Sequence, residues 1–343
     1  MDDLLSVRGL EVEFATDQGP ARVLDRISLD IGPGEVVGLV GESGCGKTTL
    51  ARTILGVLRE SGGTIRGGEV WFKNRDLLRE DPGLVNDEVR GRAITFIPQD
   101  PWGSLNPLFT VGTQIMDLMK WKSPRRHEQI RSAAHGPALF HRYPRGRRRA
   151  DREATLEILR AVQIPEPARA LGRLPHEFSG GQRQRLMIAM ALLPSPDLII
   201  ADEPTTALDV TIQAQILRLL RELVKERSVS VLFTTHDLGT AYEICDRVVV
   251  MYAGQEMESA PTDVFFHRPA HPYTRSLLDS LPREDGEIRD IPGEVPSLID
   301  PPTGCRFHPR CDRAAPECKT RRPDVELVGD GHRVRCCHPL SVP

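Results

Sequence analysis

The hydrophobic pattern of the chain predicts alternating strands and helices between residues 5 and 260. Apolar and polar residues alternate over residues 5–14 and 23–31, and the turn-rich segment 16–20 lies between them. This alternation predicts two strands of a small antiparallel sheet. Short apolar runs predict further, buried strands at residues 36–40, 94–97, 198–201, 230–234 and 247–252. Because helical patterns separate several of these runs, we expect an α/β fold with a largely parallel sheet.

Two segments depart from this alternation. Residues 110–175 contain no comparable buried run, so they predict a mostly helical insertion that is broken by Pro124, Pro137, Pro144, Pro165 and Pro167. After about residue 266 prolines become dense, and five of the seven cysteines follow. We therefore predict a main domain over residues 1–265, with a helical subdomain within about 100–178, and a small Cys/Pro-rich appendage over 266–343.

Composition and charge limit the partners and the location that we expect for the protein. The 343 residues have the composition of an ordinary globular protein, and the net charge of −3 gives no global case for nucleic acid or anionic lipid. Lys and Arg outnumber acids between Lys120 and Arg152, which indicates a solvated face or, alternatively, contact with a membrane surface or partner. No apolar run approaches the ~18 residues of a spanning helix. The acidic start also argues against a secretory signal, so we expect a cytoplasmic protein.

A glycine-rich loop follows the apolar run at 36–40. Residues 41–48, with the sequence GESGCGKT, fit the phosphate-binding pattern G-x-x-x-x-G-K-[ST]. Backbone N–H groups would surround the phosphates, Lys47 would supply positive charge, and the Thr48 hydroxyl would bind Mg²⁺. The predicted nucleotide-binding residues here are Gly41, Glu42, Ser43, Gly44, Cys45, Gly46, Lys47, Thr48 and Thr49. Cys45 is interpreted as a small residue whose backbone matters, with sensitivity to thiol modification as the alternative.

Two adjacent carboxylates, Asp202 and Glu203, end the apolar run at 198–201. Successive strand residues point to opposite sides, and open α/β sheets bind ligands at the carboxyl ends of their strands. Asp202 is therefore placed to hold Mg²⁺, and Glu203 to polarise a water that attacks the γ-phosphate. A purely structural acid pair is the alternative.

The order of these motifs resembles the ATP-binding-cassette (ABC) ATPases over roughly residues 4–260. The elements that carry the resemblance are the phosphate loop, Gln99, Ser179-Gly180-Gly181-Gln182, the two carboxylates, Asp209 and His236. The resemblance implies a P-loop NTPase fold with a parallel-sheet core, an antiparallel β subdomain and an α-helical subdomain. It also implies that two such domains close head to tail over two ATP molecules with Mg²⁺.

The resemblance further implies a role for each matching residue. Glu203, His236 and Gln99 would be catalytic, and Thr48, Gln99 and Asp202 would hold Mg²⁺. Residues that would contact ATP across the dimer, or communicate across it, are Ser179, Gly180, Gly181, Gln182 and Asp209. Phe14 is a candidate for stacking on adenine, with a place in the core as the alternative.

Longer phrases are similar to the ATPases of oligopeptide/dipeptide importers. They are residues 96–107, 201–215, 271–274 and 291–296. This resemblance implies an ATP-hydrolysing motor at the cytoplasmic face of the inner membrane. Its partners would be two transmembrane permeases, a second ABC ATPase and, indirectly, an extracytoplasmic peptide-binding protein, with no nucleic acid. Other cargo, such as nickel or glycan fragments, a soluble ATPase acting on nucleic acid or ribosomes, and a redox-sensing regulator remain alternatives.

The appendage carries Cys305, Cys311, Cys318, Cys336 and Cys337. Their spacing lacks the paired C-x₂-C of common zinc ribbons, and disulfides are disfavoured in the cytosol. Four thiolates could hold a [4Fe–4S] cluster, with zinc or free thiols as alternatives. The resemblance to the importer ATPases implies a cluster on Cys305, Cys311, Cys318 and Cys336, with Cys336 favoured over Cys337. His308, His332 and His338 keep a mixed Cys/His zinc site open.

Overall fold

The structure is a computed structural model that describes residues 3–126, 143–206, 208–281 and 290–340. The chain divides into two compact units. The first unit comprises Met1–Arg79 and Leu232–Pro343, and the second comprises Glu80–Val231. No helix among the described residues is both long enough and apolar enough to cross a membrane.

The strands and helices follow one another along the chain. Up to residue 122 they are β1 (Leu5–Thr16), β2 (Gly19–Ile31), β3 (Val36–Val40), α1 (Lys47–Ile54), β4 (Gly63–Phe72), β5 (Arg75–Asp76), α2 (Pro82–Leu84), β6 (Ile94–Ile97) and α3 (Val111–Lys122). After residue 142 they are α4 (Arg145–Ala161), α5 (Pro167–Ala170), α6 (Gly180–Leu192), β7 (Leu198–Asp202), α7 (Val210–Arg227), β8 (Ser230–Thr235), α8 (Leu238–Ile244), β9 (Arg247–Tyr252), β10 (Gln255–Pro261), α9 (Thr262–His267), α10 (Pro272–Asp279), β11 (Glu326–Gly329) and β12 (His332–Val334).

The first unit contains the predicted antiparallel sheet, in the order β2-β1-β4-β5. β1 pairs antiparallel with both β2 and β4. Leu5, Val7, Leu10 and Val12 are fully buried. The apolar residues of the alternating pattern therefore form the face of the sheet that packs against the core. The predicted strand pair 5–14 and 23–31 is confirmed, and both strands extend further toward the connecting turn.

A second sheet in the first unit has the order β11-β12-β10-β9-β3-β8. β3 and β9 are parallel, and every residue of β3 is buried, as expected for a strand covered on both faces. β12 pairs antiparallel with β10, with Val334 opposite Glu258. The C-terminal segment therefore adds strands to a sheet of the first unit, which its Pro- and Cys-rich composition did not predict.

In the second unit, β6 and β7 form a parallel pair, and helices make up most of the remaining regular structure. The described residues of the predicted helical insertion form α3, α4 and α5, as the sequence predicts for these parts. Pro144 directly precedes α4 and Pro167 is the first residue of α5, because proline is tolerated where helices begin. Pro137 lies outside the described residues.

The basic segment of the second unit is organised around one buried acid, Asp151. Its Oδ1 accepts a hydrogen bond from the Ser123 hydroxyl at 2.7 Å, and its Oδ2 accepts one from the Tyr143 hydroxyl at 2.8 Å. Arg125 lies 3.4 Å and Arg147 3.7 Å from its oxygens. Part of the positive charge in this segment therefore compensates an internal carboxylate, which neither interpretation of the basic cluster had included.

We expect Asp151→Ala to lower the free energy of unfolding by about 3–5 kcal/mol, because it leaves buried hydrogen-bond donors and the largely buried Arg147 without their acceptor. Urea unfolding followed by circular dichroism measures this change. The matched control is Glu153→Ala, which removes an exposed i,i+4 pair with Arg149 and should cost less than about 0.5 kcal/mol. Equal losses in the two variants would contradict the role of Asp151.

Candidate nucleotide site

The phosphate loop lies in the first unit between β3 and α1. Its backbone takes left-handed or otherwise glycine-specific conformations, with φ of +150° at Gly41, +78° at Gly44 and +110° at Gly46. A Cβ on Gly41 would clash with the carbonyl of Met251. The glycines of the pattern are thus required both by backbone conformation and by close packing.

Lys47 lies inside this loop and is buried. Its Nζ donates to the carbonyl oxygens of Gly41 at 2.7 Å and Glu42 at 3.3 Å. The ammonium group is therefore held inside the loop. Lys47 is also the first residue of α1, and the N–H groups at a helix N-terminus stabilise bound anions.

Cys45 is 1% exposed, and burial raises the pKa of its thiol. A buried, protonated thiol reacts poorly with modifying reagents. This favours the interpretation of Cys45 as a small residue whose backbone shapes the loop.

The carboxylate pair lies in the second unit, where β7 ends at Asp202. Asp202 is buried, whereas Glu203 follows in a left-handed conformation with φ of +45°. Such a conformation costs about 1–3 kcal/mol in a residue other than glycine and is concentrated at functional sites. The turn gives the two adjacent carboxylates different surroundings.

Gln99 and Glu203 are brought into direct contact. The Gln99 Nε2 donates to Glu203 Oε2 at 3.1 Å, and the Thr206 hydroxyl lies 3.2 Å from the same oxygen. Two of the three predicted catalytic residues therefore share a hydrogen bond, and Thr206 is a neighbour that the sequence did not single out.

The segment at residues 179–182 begins α6. The Ser179 hydroxyl accepts from the Gln182 N–H, and the Gln182 side chain accepts from the Ser179 N–H, which forms a capping box. A Cβ on Gly181 would lie 2.8 Å from the Ile212 side chain of α7. Asp209 caps α7 by accepting from the Ile212 N–H at 3.0 Å. Gly181 therefore lies against the helix that Asp209 begins.

The remaining predicted residues lie in the first unit. His236 follows β8 and is exposed, next to Asp237, which caps α8. Phe14 lies on β1, between its pairing partners Ala21 and Gly63, and is partly exposed. The roles of both residues stay predictions.

None of the seven cysteines, all of which the structure describes, forms a disulfide. Burial, with repulsion from Cys318 and Cys311, raises the pKa of Cys305 to about 11. Burial, with repulsion from Cys305 and Cys311, raises the pKa of Cys336 to about 12. The higher pKa values disfavour the thiolate form that binds a metal ion. Among the residues that the structure describes, no group of three or more His, Cys, Asp or Glu side chains is arranged to hold a metal ion.

The three histidines considered for a mixed site have other partners. His332 Nε2 lies 2.7 Å from Glu258 in a buried pair, and His338 Nε2 lies 2.6 Å from Glu317. His308 Nδ1 lies 2.9 Å from the Cys305 carbonyl oxygen. This arrangement gives no support to a mixed Cys/His zinc site.

Comparison with known proteins identifies the class to which this geometry belongs. Residues 24–206 match the ABC transporter family, and residues 257–318 match the oligopeptide/dipeptide transporter C-terminal region. A solved dimeric ATP-binding cassette in a post-hydrolysis state, bound to ADP and Pi, is 25% identical with a TM-score of 0.59, and the match covers 75% of this chain and 98% of that one.

Full-length relatives narrow the class. The dipeptide transport ATP-binding protein of Bacillus subtilis is 42% identical over 98% of this chain and 95% of its own length. The protein of the same description from Escherichia coli is 40% identical over 98% of this chain and 97% of its own length. The chain belongs to the ABC transporter family and is an ABC ATPase. ATP and Mg²⁺ are the ligands that fit this class.

Some functional candidates were not predicted from the sequence. Arg310 and Tyr273 both contact Glu42 of the phosphate loop from far along the chain. An arginine in a proline-rich segment carries no sequence signal for such a contact, because only the tertiary fold brings the two together.

Proposed function

We propose that this chain is the ATP-hydrolysing motor of an importer for oligopeptides or dipeptides. The observation that carries the proposal is the combination, in one chain, of the ABC domain and the oligopeptide/dipeptide transporter C-terminal region. Relatives over almost the full length are dipeptide transport ATP-binding proteins. Import of another cargo remains the alternative, because this subunit need not touch the cargo.

In this proposal each predicted residue has its own role in the ATP chemistry. Lys47 of the phosphate loop would supply the charge on the phosphates, and His236 would contact the γ-phosphate. Asp202 would hold Mg²⁺, and Glu203 would polarise the attacking water. The direct hydrogen bond between Gln99 and Glu203 supports a joint role at that water.

The segment at residues 179–182 would act on ATP bound to another subunit. Ser179 is exposed at the N-terminus of α6, where backbone N–H groups favour a phosphate. Asp209 caps the neighbouring helix, and the next residue, Val210, is 82% exposed. Exposure of this edge supports a head-to-tail dimer with a second ABC ATPase, either identical or different.

Permease partners are supported by exposed apolar side chains in the second unit. Trp102, Leu108 and Phe109 are 59%, 81% and 52% exposed, and they lie in the segment between Gln99 and α3. Exposed large apolar side chains close together in sequence are typical of protein interfaces. We propose that this segment contacts two transmembrane permeases and holds the chain at the cytoplasmic face of the membrane. An extracytoplasmic peptide-binding protein would take part indirectly.

We also propose the domain division at about residue 265 and a [4Fe–4S] cluster on Cys305, Cys311, Cys318 and Cys336, with zinc as the alternative. Three of these cysteines, Cys305, Cys311 and Cys318, lie within the matched oligopeptide/dipeptide transporter C-terminal region, which supports the proposal. Among the described residues these thiols do not form a metal-binding group. No step of ATP hydrolysis is assigned to the cluster.

Purification of the tagged chain from gently solubilised cells tests this function. We expect two polytopic permeases and a second ABC ATPase in the eluate, and about four iron and four sulfide per chain. Recovery of ribosomal or DNA-bound partners without membrane proteins would contradict the importer, and one zinc without iron would contradict the cluster.

A variant pair locates the permease contact. The double substitution Leu108→Asp and Phe109→Asp should lose the permeases but keep nucleotide binding, because charge disrupts an apolar interface. Leu327→Asp is the matched control, since Leu327 is 71% exposed on β11. Loss of the permeases in both variants, or in neither, would contradict this assignment.

A further inference from the structure

The C-terminal segment reaches the phosphate loop through Arg310. Its Nη1 donates to Glu42 Oε2 at 2.8 Å, and its Nη2 donates to Glu42 Oε1 at 3.2 Å. The guanidinium thus hydrogen-bonds to both oxygens of one carboxylate, and such bidentate pairs are strong and directional. Glu42 is the second residue of the phosphate loop, and Arg310 follows it by 268 positions.

Arg310 is itself fixed in place and is 8% exposed. Its Nε donates to the Pro292 carbonyl at 2.9 Å, its Nη2 also donates to the Ile291 carbonyl at 3.2 Å, and its Nη1 lies 3.3 Å from the Tyr252 hydroxyl. Burial lowers the pKa of Arg310, but its hydrogen bonds to Glu42 and Tyr252 raise it above the usual value. The group is therefore a permanent, oriented positive charge.

Aromatic side chains support the same contact. The Tyr273 hydroxyl accepts from the Glu42 N–H at 3.3 Å and lies 3.4 Å from Glu42 Oε2. The Tyr273 ring packs against those of Tyr252 and Phe307, with centroids 4.6 and 5.1 Å apart. Tyr273 therefore contacts both the backbone and the side chain of Glu42, and Arg310 contacts its side chain.

Glu42 connects Arg310 to Lys47. Its carboxylate is paired with Arg310, while its carbonyl oxygen accepts from Lys47 Nζ. An unpaired carboxylate at this position would repel the negative phosphates of a nucleotide and would leave this end of the loop free to move. Pairing with Arg310 removes both effects.

We propose that Arg310 is a positioning residue for the phosphate loop: it neutralises and fixes the Glu42 carboxylate so that the loop is preset for nucleotide phosphates. The C-terminal region then contributes directly to nucleotide affinity. This inference rests on the proposed role of the loop in ATP binding and does not depend on the cargo.

Calorimetric titration of the full chain with MgADP tests the proposal. We expect Arg310→Gln to weaken binding about tenfold, within the range of typical couplings between sites. For MgATP turnover, KM should rise by a similar factor while kcat changes little, because Arg310 touches no reacting atom. A fall in kcat with unchanged KM and unchanged MgADP affinity would overturn the proposal.

Arg306→Gln is the matched control. Arg306 is 2% exposed in the same segment and pairs with Asp25 at 2.7 Å, but Asp25 lies in β2 and not in the phosphate loop. Its loss should leave MgADP affinity within about twofold of the wild type, as for a residue outside the coupled pair. Equal weakening by both substitutions would mean that only docking of the segment matters, which would overturn the role of Arg310.

A double-mutant cycle isolates the contact itself. In a Glu42→Gln background, Arg310→Gln should change MgADP affinity less than about twofold, because the carboxylate it neutralises is gone. A tenfold effect in both backgrounds would overturn the proposal. If Arg310→Gln does not fold, Arg310→Lys replaces it: Lys keeps the charge but not the two parallel donors, so binding should weaken by a smaller factor. Unchanged binding in folded Arg310→Lys would overturn the positioning role.

Lys47→Ala separates this inference from the proposed function. If Lys47→Ala binds MgADP normally, the loop assignment itself is wrong. If Lys47→Ala loses binding while Arg310→Gln does not, only the inference fails.

Discussion

Glu203→Gln should lower ATP turnover by about 10²–10⁴-fold, the usual contribution of a general base. Gln has the shape of Glu but cannot accept a proton from the attacking water. The left-handed turn at Glu203 and its hydrogen bond from Gln99 should remain, because the amide oxygen can still accept. MgATP should therefore still bind, and single-turnover assays of the full chain should show ATP retained without being hydrolysed.

The control for this variant is Glu222→Gln, an exposed position on α7 outside the site. It should keep wild-type turnover, because surface changes away from a site have small effects. Near-normal turnover in Glu203→Gln would show that another group polarises the water.

Lys47→Ala should abolish measurable turnover and weaken MgADP binding about 10²-fold, the upper range for losing a hydrogen bond to a charged group. Lys47 Nζ lies within the loop, where it donates to Gly41 and Glu42 carbonyls. A bound phosphate would offer it a stronger, charged acceptor. Calorimetric titration with MgADP measures the binding loss, and release of phosphate from MgATP measures turnover.

Lys225→Ala is the matched control, since this lysine is exposed near the end of α7. It removes the same charge from the chain without touching the loop, so MgADP affinity and turnover should stay at wild-type values. Retained binding in Lys47→Ala would contradict the assignment of residues 41–48.

Much of the fold could be predicted because its signals are local. The alternation at residues 5–14 and the fully apolar run at 36–40 depend only on which faces of a strand are buried. The helical insertion was predicted for a similar reason, with Pro144 and Pro167 at helix starts. The strands β11 and β12 were missed, because short, polar, partly exposed strands at a sheet edge leave no clear pattern.

The candidate site also has features that the sequence predicts and features that it does not. The phosphate loop could be recognised because its glycines are needed by backbone geometry at fixed spacing, as the φ angles of Gly41 and Gly46 show. Outside the site, the burial of Asp151 could not be predicted, because a buried acid looks the same in sequence as a solvated one. The cysteines show the limit most clearly: the resemblance to the importer ATPases implied a cluster, while among the described residues the cysteines form no metal-binding group.

The class of protein could be recognised without the structure, since motifs for nucleotide phosphates are short, contiguous and tied to local backbone shape. The positions of most core strands could be predicted as well, since burial follows the apolar pattern. The fold was needed to show other contacts over long separations in sequence: Arg310 with Glu42, and β12 with β10. These contacts depend on the chain's path in space, and no short-range pattern of residues encodes that path.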